Sequence, residues 1–410
     1  MGGGRLWRCE VRVGPFPSRS QINGSKGHCP WWRSRRQSLL VGSRGKAPAP
    51  PGMSSVRIQG LTKRYGTVAA AFEVSFEVPS GGTLALLGPS GCGKTTILRC
   101  LAGLETPDWG TIAIDGEPVF DRERNIDLAP ERRGLGIVFQ SYAVWPHMTV
   151  ADNVAFPLKV RGVPSAERLD RASKMLEMVG LKGFEQRSAT LVSGGQQQRI
   201  ALARALVHEP RLVLFDEALS NLDARLRQQM RTELRELQER LGFTAIYVTH
   251  DQAEAFGLAE RIILMNQGAI ETSGTAREVF LHPRSAFAAR FFGMNVLEGR
   301  VLGAAADARY LEVELSDRLV VRGVAAPDQE FQEGGRVLAC IRKDAVRIVR
   351  PRQGEQAPGV ILAASFLGAE EECLVDIAGV RIETVGPAIG LTKGERVHVT
   401  MTPDEWVFVR

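Results

Sequence analysis

Leu84-Ala85-Leu86-Leu87-Gly88-Pro89-Ser90-Gly91-Cys92-Gly93-Lys94-Thr95-Thr96 is the stretch from which the rest of the chain can be read. Its first four residues are an unbroken apolar run, as in a strand buried on both faces of a parallel sheet. Gly88 to Thr95 fits G-x-x-x-x-G-K-[ST], and Thr96–Leu101 favours a helix. Strand, glycine-rich turn and helix start together give that pattern a mechanism. Glycines let successive backbone N–H groups converge on phosphate oxygens, and the helix N-terminus adds partial positive charge. Gly88, Pro89, Ser90, Gly91, Cys92, Gly93, Lys94, Thr95 and Thr96 are therefore candidate nucleotide contacts. The Lys94 ammonium suits the β- and γ-phosphates, and the Thr95 hydroxyl suits Mg²⁺.

A second apolar run, Leu212-Val213-Leu214-Phe215, ends in two carboxylates, Asp216 and Glu217. Downstream of a phosphate loop, the first acid would hold Mg²⁺ and the second would orient or deprotonate an attacking water. Strands and helices alternate from Met53 to about residue 292, the pattern of an α/β domain. Between the two runs lies a more helical insert, with Leu169, Ala172, Leu176 and Val179 on one face and Gly180 placed to end it. Leu226, Met230, Leu234, Leu237 and Leu241 form a later helical stripe, which reads as core packing. From residue 293 the texture changes to short strand-like runs about every ten residues. They are Val296–Leu302, Tyr310–Leu315, Leu319–Val324, Arg336–Ile341, Gly359–Ala364, Cys373–Ile377, Arg381–Val385, Arg396–Met401 and Trp406–Val409. Such spacing predicts a separate all-β, barrel-like domain over 293–410.

Composition narrows the function. Residues 1–52 hold ten Lys or Arg against the single acid Glu10, yet the whole chain carries only +6, so the remainder is mildly acidic. A mildly acidic body lacks the basic surface that nucleic acid needs, so no nucleic-acid partner is expected. The first 52 residues have neither strand nor helix periodicity and read as a disordered basic extension. Met53 stands immediately before the strand pattern Ser55-Val56-Arg57-Ile58 and is the expected natural start. No apolar window is long enough to span a bilayer. Six scattered cysteines, without C-x-x-C spacing, read as reduced thiols with neither disulfide nor zinc.

Further motifs make the reading specific. Val192-Ser193-Gly194-Gly195-Gln196-Gln197-Gln198-Arg199 resembles the signature of the ATP-binding cassette (ABC) family. Phe139-Gln140-Ser141 resembles its Q-loop, Ser220-Asn221-Leu222-Asp223 its D-loop, and Val248-Thr249-His250-Asp251 its switch-histidine loop. Tyr65, placed before the first β-hairpin, resembles the aromatic that stacks on adenine. The resemblance implies a P-loop NTPase, a RecA-like core with an α-helical subdomain over 53–292, that binds and hydrolyses ATP with Mg²⁺. It also implies that two copies sandwich two ATP molecules. Ser193, Gly194, Gly195 and Gln196 would then complete the partner's site, and Asp223 would couple the two. Gln140 would sense Mg²⁺ and the attacking water, Asp216 would hold the metal, and Glu217 and His250 would act at the γ-phosphate. This chain departs from the family at Val192, usually Leu, and at Ala218, where close relatives carry Pro.

Tyr142 to Val150, with Asn153-Val154, resembles the segment after the Q-loop in importers of the maltose, iron, polyamine and sulfate group. Residues 293–410 resemble their C-terminal TOBE domain, an OB-like β-domain, although Ile341-Arg342-Lys343-Asp344 departs from the family's Ile-Arg-Pro-Glu element. Those importers imply two integral membrane permease subunits, an extracytoplasmic solute-binding protein, and a peripheral place on the cytoplasmic face of the inner membrane. An exporter ATPase with separate membrane subunits, or a soluble ABC ATPase, is the alternative reading.

Overall fold

The computed structural model describes residues 56–352, 355 and 357–410; the basic extension and the expected start at Met53 lie outside the described residues. The central sheet has six strands in the order Ala269–Gly274, Arg261–Asn266, Thr83–Leu87, Thr244–Thr249, Leu212–Asp216, Leu135–Val138. Its last five strands are parallel, and the first pairs antiparallel with its neighbour. Thr83–Leu87, Leu212–Asp216 and Thr244–Thr249 are buried throughout, which is why they read as continuous apolar runs.

A second, antiparallel sheet is built from Val56–Tyr65, Val68–Val78, Trp109–Ile114, Glu117–Asp121 and Ile126–Asp127. Helix Lys94–Ala102 (α1) lies between the sheets. Its Ile97, Leu98 and Leu101 join Val56, Ile58 and Ile112 on one side and Leu86, Leu214 and Ile246 on the other in one core. Sandwiching the phosphate-loop helix this way gives it a rigid seat.

The insert folds as Val150–Val160 (α2), Ser165–Met178 (α3) and Gly194–Leu206 (α4). In α3 the predicted face is buried at Ala172 and Leu176, whereas Leu169 stays exposed. Gly180, just past the helix, has φ 73°, the left-handed backbone that glycine tolerates best. Ala224–Leu241 (α5) buries Met230, Leu234 and Leu237 of its stripe, but its last residue, Leu241, is exposed beside the capping Gly242. Gln252–Leu258 (α6) follows the strand Thr244–Thr249. No described helix is long and apolar enough to cross a membrane.

Beyond residue 293 the described residues form strands and single 3₁₀ turns, with no α-helix. A closed barrel is made by Asn295–Ala304, Leu311–Ser316, Leu319–Ala325, Trp406–Val409 and Arg336–Ile341. A five-stranded sheet packs beside it, containing Arg347–Val349, a strand absent from the sequence reading. That strand is only three residues long and none of them is buried, so its apolar alternation is too short to register. Trp406 and Phe408, 2% and 0% exposed, fill the core shared by barrel and sheet. Phe408→Ala should cost about 3–5 kcal/mol. In urea unfolding this should shift the transition of the β-domain; an unchanged midpoint would remove Phe408 from that role.

Candidate functional site

Parallel register fixes what meets at the carboxyl edge of the central sheet. Leu87 lies beside Thr249, and Asp216 beside Val248, so the loops after three strands open at one place. The phosphate loop leaves the first strand, Glu217 follows the second, and His250 follows the third.

The phosphate loop is a tight backbone cradle. Gly93 has φ 101°, and a Cβ there would sit 1.8 Å from the Ala70 carbonyl oxygen. Gly88 is similarly confined, its added Cβ falling 2.5 Å from Met265 O. Neither position admits a side chain. Lys94 is buried, and its ammonium donates to Gly88 O at 2.8 Å and Pro89 O at 2.9 Å, with Cys92 Sγ at 3.6 Å. Thr95 Oγ1 donates to Asp216 Oδ1 at 3.1 Å. Burial pushes the Asp216 carboxyl up from its ordinary value, and the Thr95 hydroxyl opposes that shift. Two hard oxygens side by side suit a cation that keeps waters and takes phosphate oxygens.

Glu217 sits in the left-handed region, φ 45°. Its amide donates to Val248 O at 2.9 Å, and its carbonyl accepts from Ser220 N and Ser220 Oγ. These bonds fix the turn where Ala218 replaces the expected proline. The Glu217 carboxylate meets Gln140 Nε2 at 3.4 Å and His250 Nδ1 at 3.3 Å. Gln140 also reaches Ser220 Oγ at 3.4 Å, and its carbonyl accepts Asn221 Nδ2 at 2.8 Å. Five sequence-predicted residues thus converge: Thr95, Gln140, Asp216, Glu217 and His250.

The other candidates lie apart. Ser193 caps α4 through a reciprocal pair with Gln196, and Asp223 caps α5. Ser193 and Gly194 are exposed, whereas Gly195 is buried against Leu226. Tyr65 ends the first strand of the hairpin rather than preceding it; its ring is half exposed, with Lys63 Nζ 5.4 Å from the centroid. The four described cysteines, Cys92, Cys100, Cys340 and Cys373, are free and buried.

Sequence reading missed Arg204. From α4 its guanidinium donates to Tyr142 O at 2.7 Å and Ala143 O at 2.6 Å and lies 4.5 Å over the Trp145 ring. Tyr142 and Ala143 are both left-handed, φ 59° and 48°, so Arg204 holds a strained turn just after Gln140. The signal was a guanidinium within the otherwise apolar C-terminal half of α4, Ile200-Ala-Leu-Ala-Arg204-Ala-Leu206. Glu254 was missed too. It is 3% exposed, its carboxylate accepts the Thr249 hydroxyl at 2.7 Å, and burial pushes its pKa up to about 7.

The family described as ABC transporter matches residues 72–220. The sn-glycerol-3-phosphate import ATP-binding protein UgpC 1 of Rhizobium johnstonii is 42% identical, over 86% of this chain and 93% of that protein. The Fe(3+) ions import ATP-binding protein FbpC of Escherichia coli K12 is 41% identical, over 80% of this chain and 89% of that protein. Among solved structures, cbiO1 from Clostridium perfringens, part of the ABC transporter complex cbiONQ, matches with a TM-score of 0.50 and 26% identity. That match covers 55% of this chain and 90% of that one.

Glu254 makes stability depend on pH. The native carboxyl holds its proton up to about pH 7, well above the ordinary value of 4.5 for a glutamate. Between those values the native state binds more protons than the unfolded one, so stability falls as pH rises and is flat above. Glu254→Gln keeps an acceptor for Thr249 and abolishes that slope, gaining at most about 3 kcal/mol at about pH 8 and little at about pH 5. Urea midpoints at the two pH values check this; a slope equal to wild type would refute it.

Proposed function

Since this chain belongs to the ABC transporter family, among its import ATP-binding subunits, we infer that it binds and hydrolyses ATP to energise solute uptake. The observation that carries the division of labour is the convergence of Thr95, Asp216, Glu217, Gln140 and His250 at one sheet edge. Backbone N–H groups of the Gly88–Thr96 loop, except Pro89, which has none, cradle the phosphates. Lys94 exchanges the Gly88 and Pro89 carbonyls for β- and γ-phosphate oxygens, and Tyr65 receives the adenine. Thr95 and Asp216, with Gln140 nearby, would hold Mg²⁺, which would supply neutralisation of the negative charge on the phosphates. Glu217 orients the attacking water and takes its proton. His250 holds the γ-phosphate and keeps Glu217 aligned. The work is positioning and charge stabilisation in a preorganised site.

Two copies form the working unit. Ser193, Gly194, Gly195 and Gln196 at the start of α4 meet the γ-phosphate bound by the other copy, where the helix N-terminus favours negative charge. Exposure of Ser193 and Gly194 supports this. Asp223 couples the two sites. Beside Gln140 runs a groove of about 400 Å³ lined by Phe139, Ala143, Trp145, Phe156 and Val160. We assign it to one of two membrane permease subunits, through which an extracytoplasmic solute-binding protein delivers cargo. The chain then acts as a peripheral subunit at the cytoplasmic face of the inner membrane.

Glu217→Gln should lower ATP turnover about 10²–10⁴-fold while ATP still binds. A steady-state phosphate-release assay with a parallel binding titration measures both. Full turnover in the variant would take the general-base role away from Glu217.

A further inference from the structure

Two loops of the site are bridged by a residue to which no motif assigns a role. Arg227 projects from the first turns of α5, four residues after Asp223. Its Nη1 donates to Asp251 Oδ2 at 3.1 Å, immediately after His250. Its Nη2 donates to Leu222 O at 3.0 Å and Ser220 O at 3.4 Å, immediately before Asp223. The remaining donor, Nε, is buried without a partner. Arg227 and Asp251 have side chains only 29% and 26% exposed, so their pairing is partly shielded from solvent and salt.

Each end of the bridge is itself anchored. Asp251 caps α6 by accepting Glu254 N, and Asp251 N donates to Thr249 Oγ1. Burial alone would raise the Asp251 carboxyl, but the Glu254 amide and the Arg227 guanidinium outweigh it and hold it below the ordinary range. At the other end, Ser220 Oγ accepts from Gln140 Nε2 and Asn221 donates to Gln140 O. Glu217, touching both Gln140 and His250, closes the ring. His250 and Asp223 therefore sit on opposite ends of one guanidinium.

We propose that Arg227 is a positioning residue that makes the His250 loop and the Ser220–Asp223 loop move as one unit. Contact with the γ-phosphate at His250 is thereby passed to the loop that meets the second copy. This rests on the paired-site reading given above. A planar fork with fixed donor directions can span a carboxylate and two carbonyls together; an ammonium, as a single point charge, cannot. Arg227→Lys keeps the charge and removes the bridge, which isolates the proposal from simple electrostatics.

The test uses the full chain in the Glu217→Gln background, with ATP affinity from nucleotide-binding fluorescence and ATP-driven dimerisation from sedimentation velocity. Arg227→Lys should leave ATP affinity and Tm unchanged while about tenfold more protein is needed for the dimer. Asp251→Asn should do the same, and the double variant should be no worse than either single one. Arg235→Ala, an exposed arginine further along α5, should change neither. In the chain that retains Glu217, Arg227→Lys should lower kcat at unchanged KM. A dimer unaffected by Arg227→Lys, or additive effects in the double variant, would overturn the coupling alone. Equal losses of ATP affinity and Tm would overturn it too, leaving a structural strut. Failure of Glu217→Gln itself to dimerise with ATP would bring down the paired-site reading, and this proposal with it.

Discussion

The alignment of three buried parallel strands is the constraint on which the rest depends. Thr83–Leu87, Thr244–Thr249 and Leu212–Asp216 lie side by side with no polar residue exposed along their lengths. Their register places Leu87 beside Thr249 and Val248 beside Asp216. Side chains alternate faces with period two, so a slip of one residue would turn Asp216 away from Thr95 and bury charge elsewhere. Apolar burial along the strands thus specifies where the charged groups emerge. The geometry of the candidate site is a by-product of core packing.

What the sheet cannot do, strained loops accomplish. Glu217, Tyr142 and Ala143 all adopt positive φ without being glycine. Such residues cost of order 1–3 kcal/mol each and persist only where neighbours over-determine them. Here the neighbours are visible: Val248 O and Ser220 for Glu217, Arg204 for the 142–143 turn. The Arg204 guanidinium is itself costly to bury, its pKa falling to about 10 through desolvation. Two carbonyls and an aromatic face offset that cost.

Much of this was legible in the sequence, for identifiable reasons. The phosphate loop, Asp216-Glu217 and His250 follow apolar strand runs, and a strand end is easy to place. The C-terminal strands were readable because turn residues punctuate alternating runs, except where Arg347–Val349 was too short. Arg204, Arg227 and Glu254 were missed because their roles depend on tertiary structure. Arg204 reaches Tyr142 and Arg227 reaches Asp251, both remote in sequence, so a guanidinium in an apolar run hints at Arg204 without naming its partner. Glu254 bonds the nearby Thr249, but its burial, which makes it unusual, is not a local property. Tyr65 was placed one element early because a hairpin tip and the approach to it share the same turn residues.

The closing of the barrel has a consequence for biogenesis. Trp406–Val409 is the strand that joins Leu319–Ala325 to Arg336–Ile341, with Val407 beside Val324 and Cys340. During vectorial synthesis the cassette's sheet is complete once Gly274 has emerged from the ribosome, whereas the barrel stays open until Val409 has. Domains emerging first fold first, and unpaired strand edges exposed meanwhile invite wrong partners. Nascent chains therefore pass through a stage in which a nucleotide-competent cassette trails an unclosed barrel with two free edges, the interval in which a chaperone has most to protect.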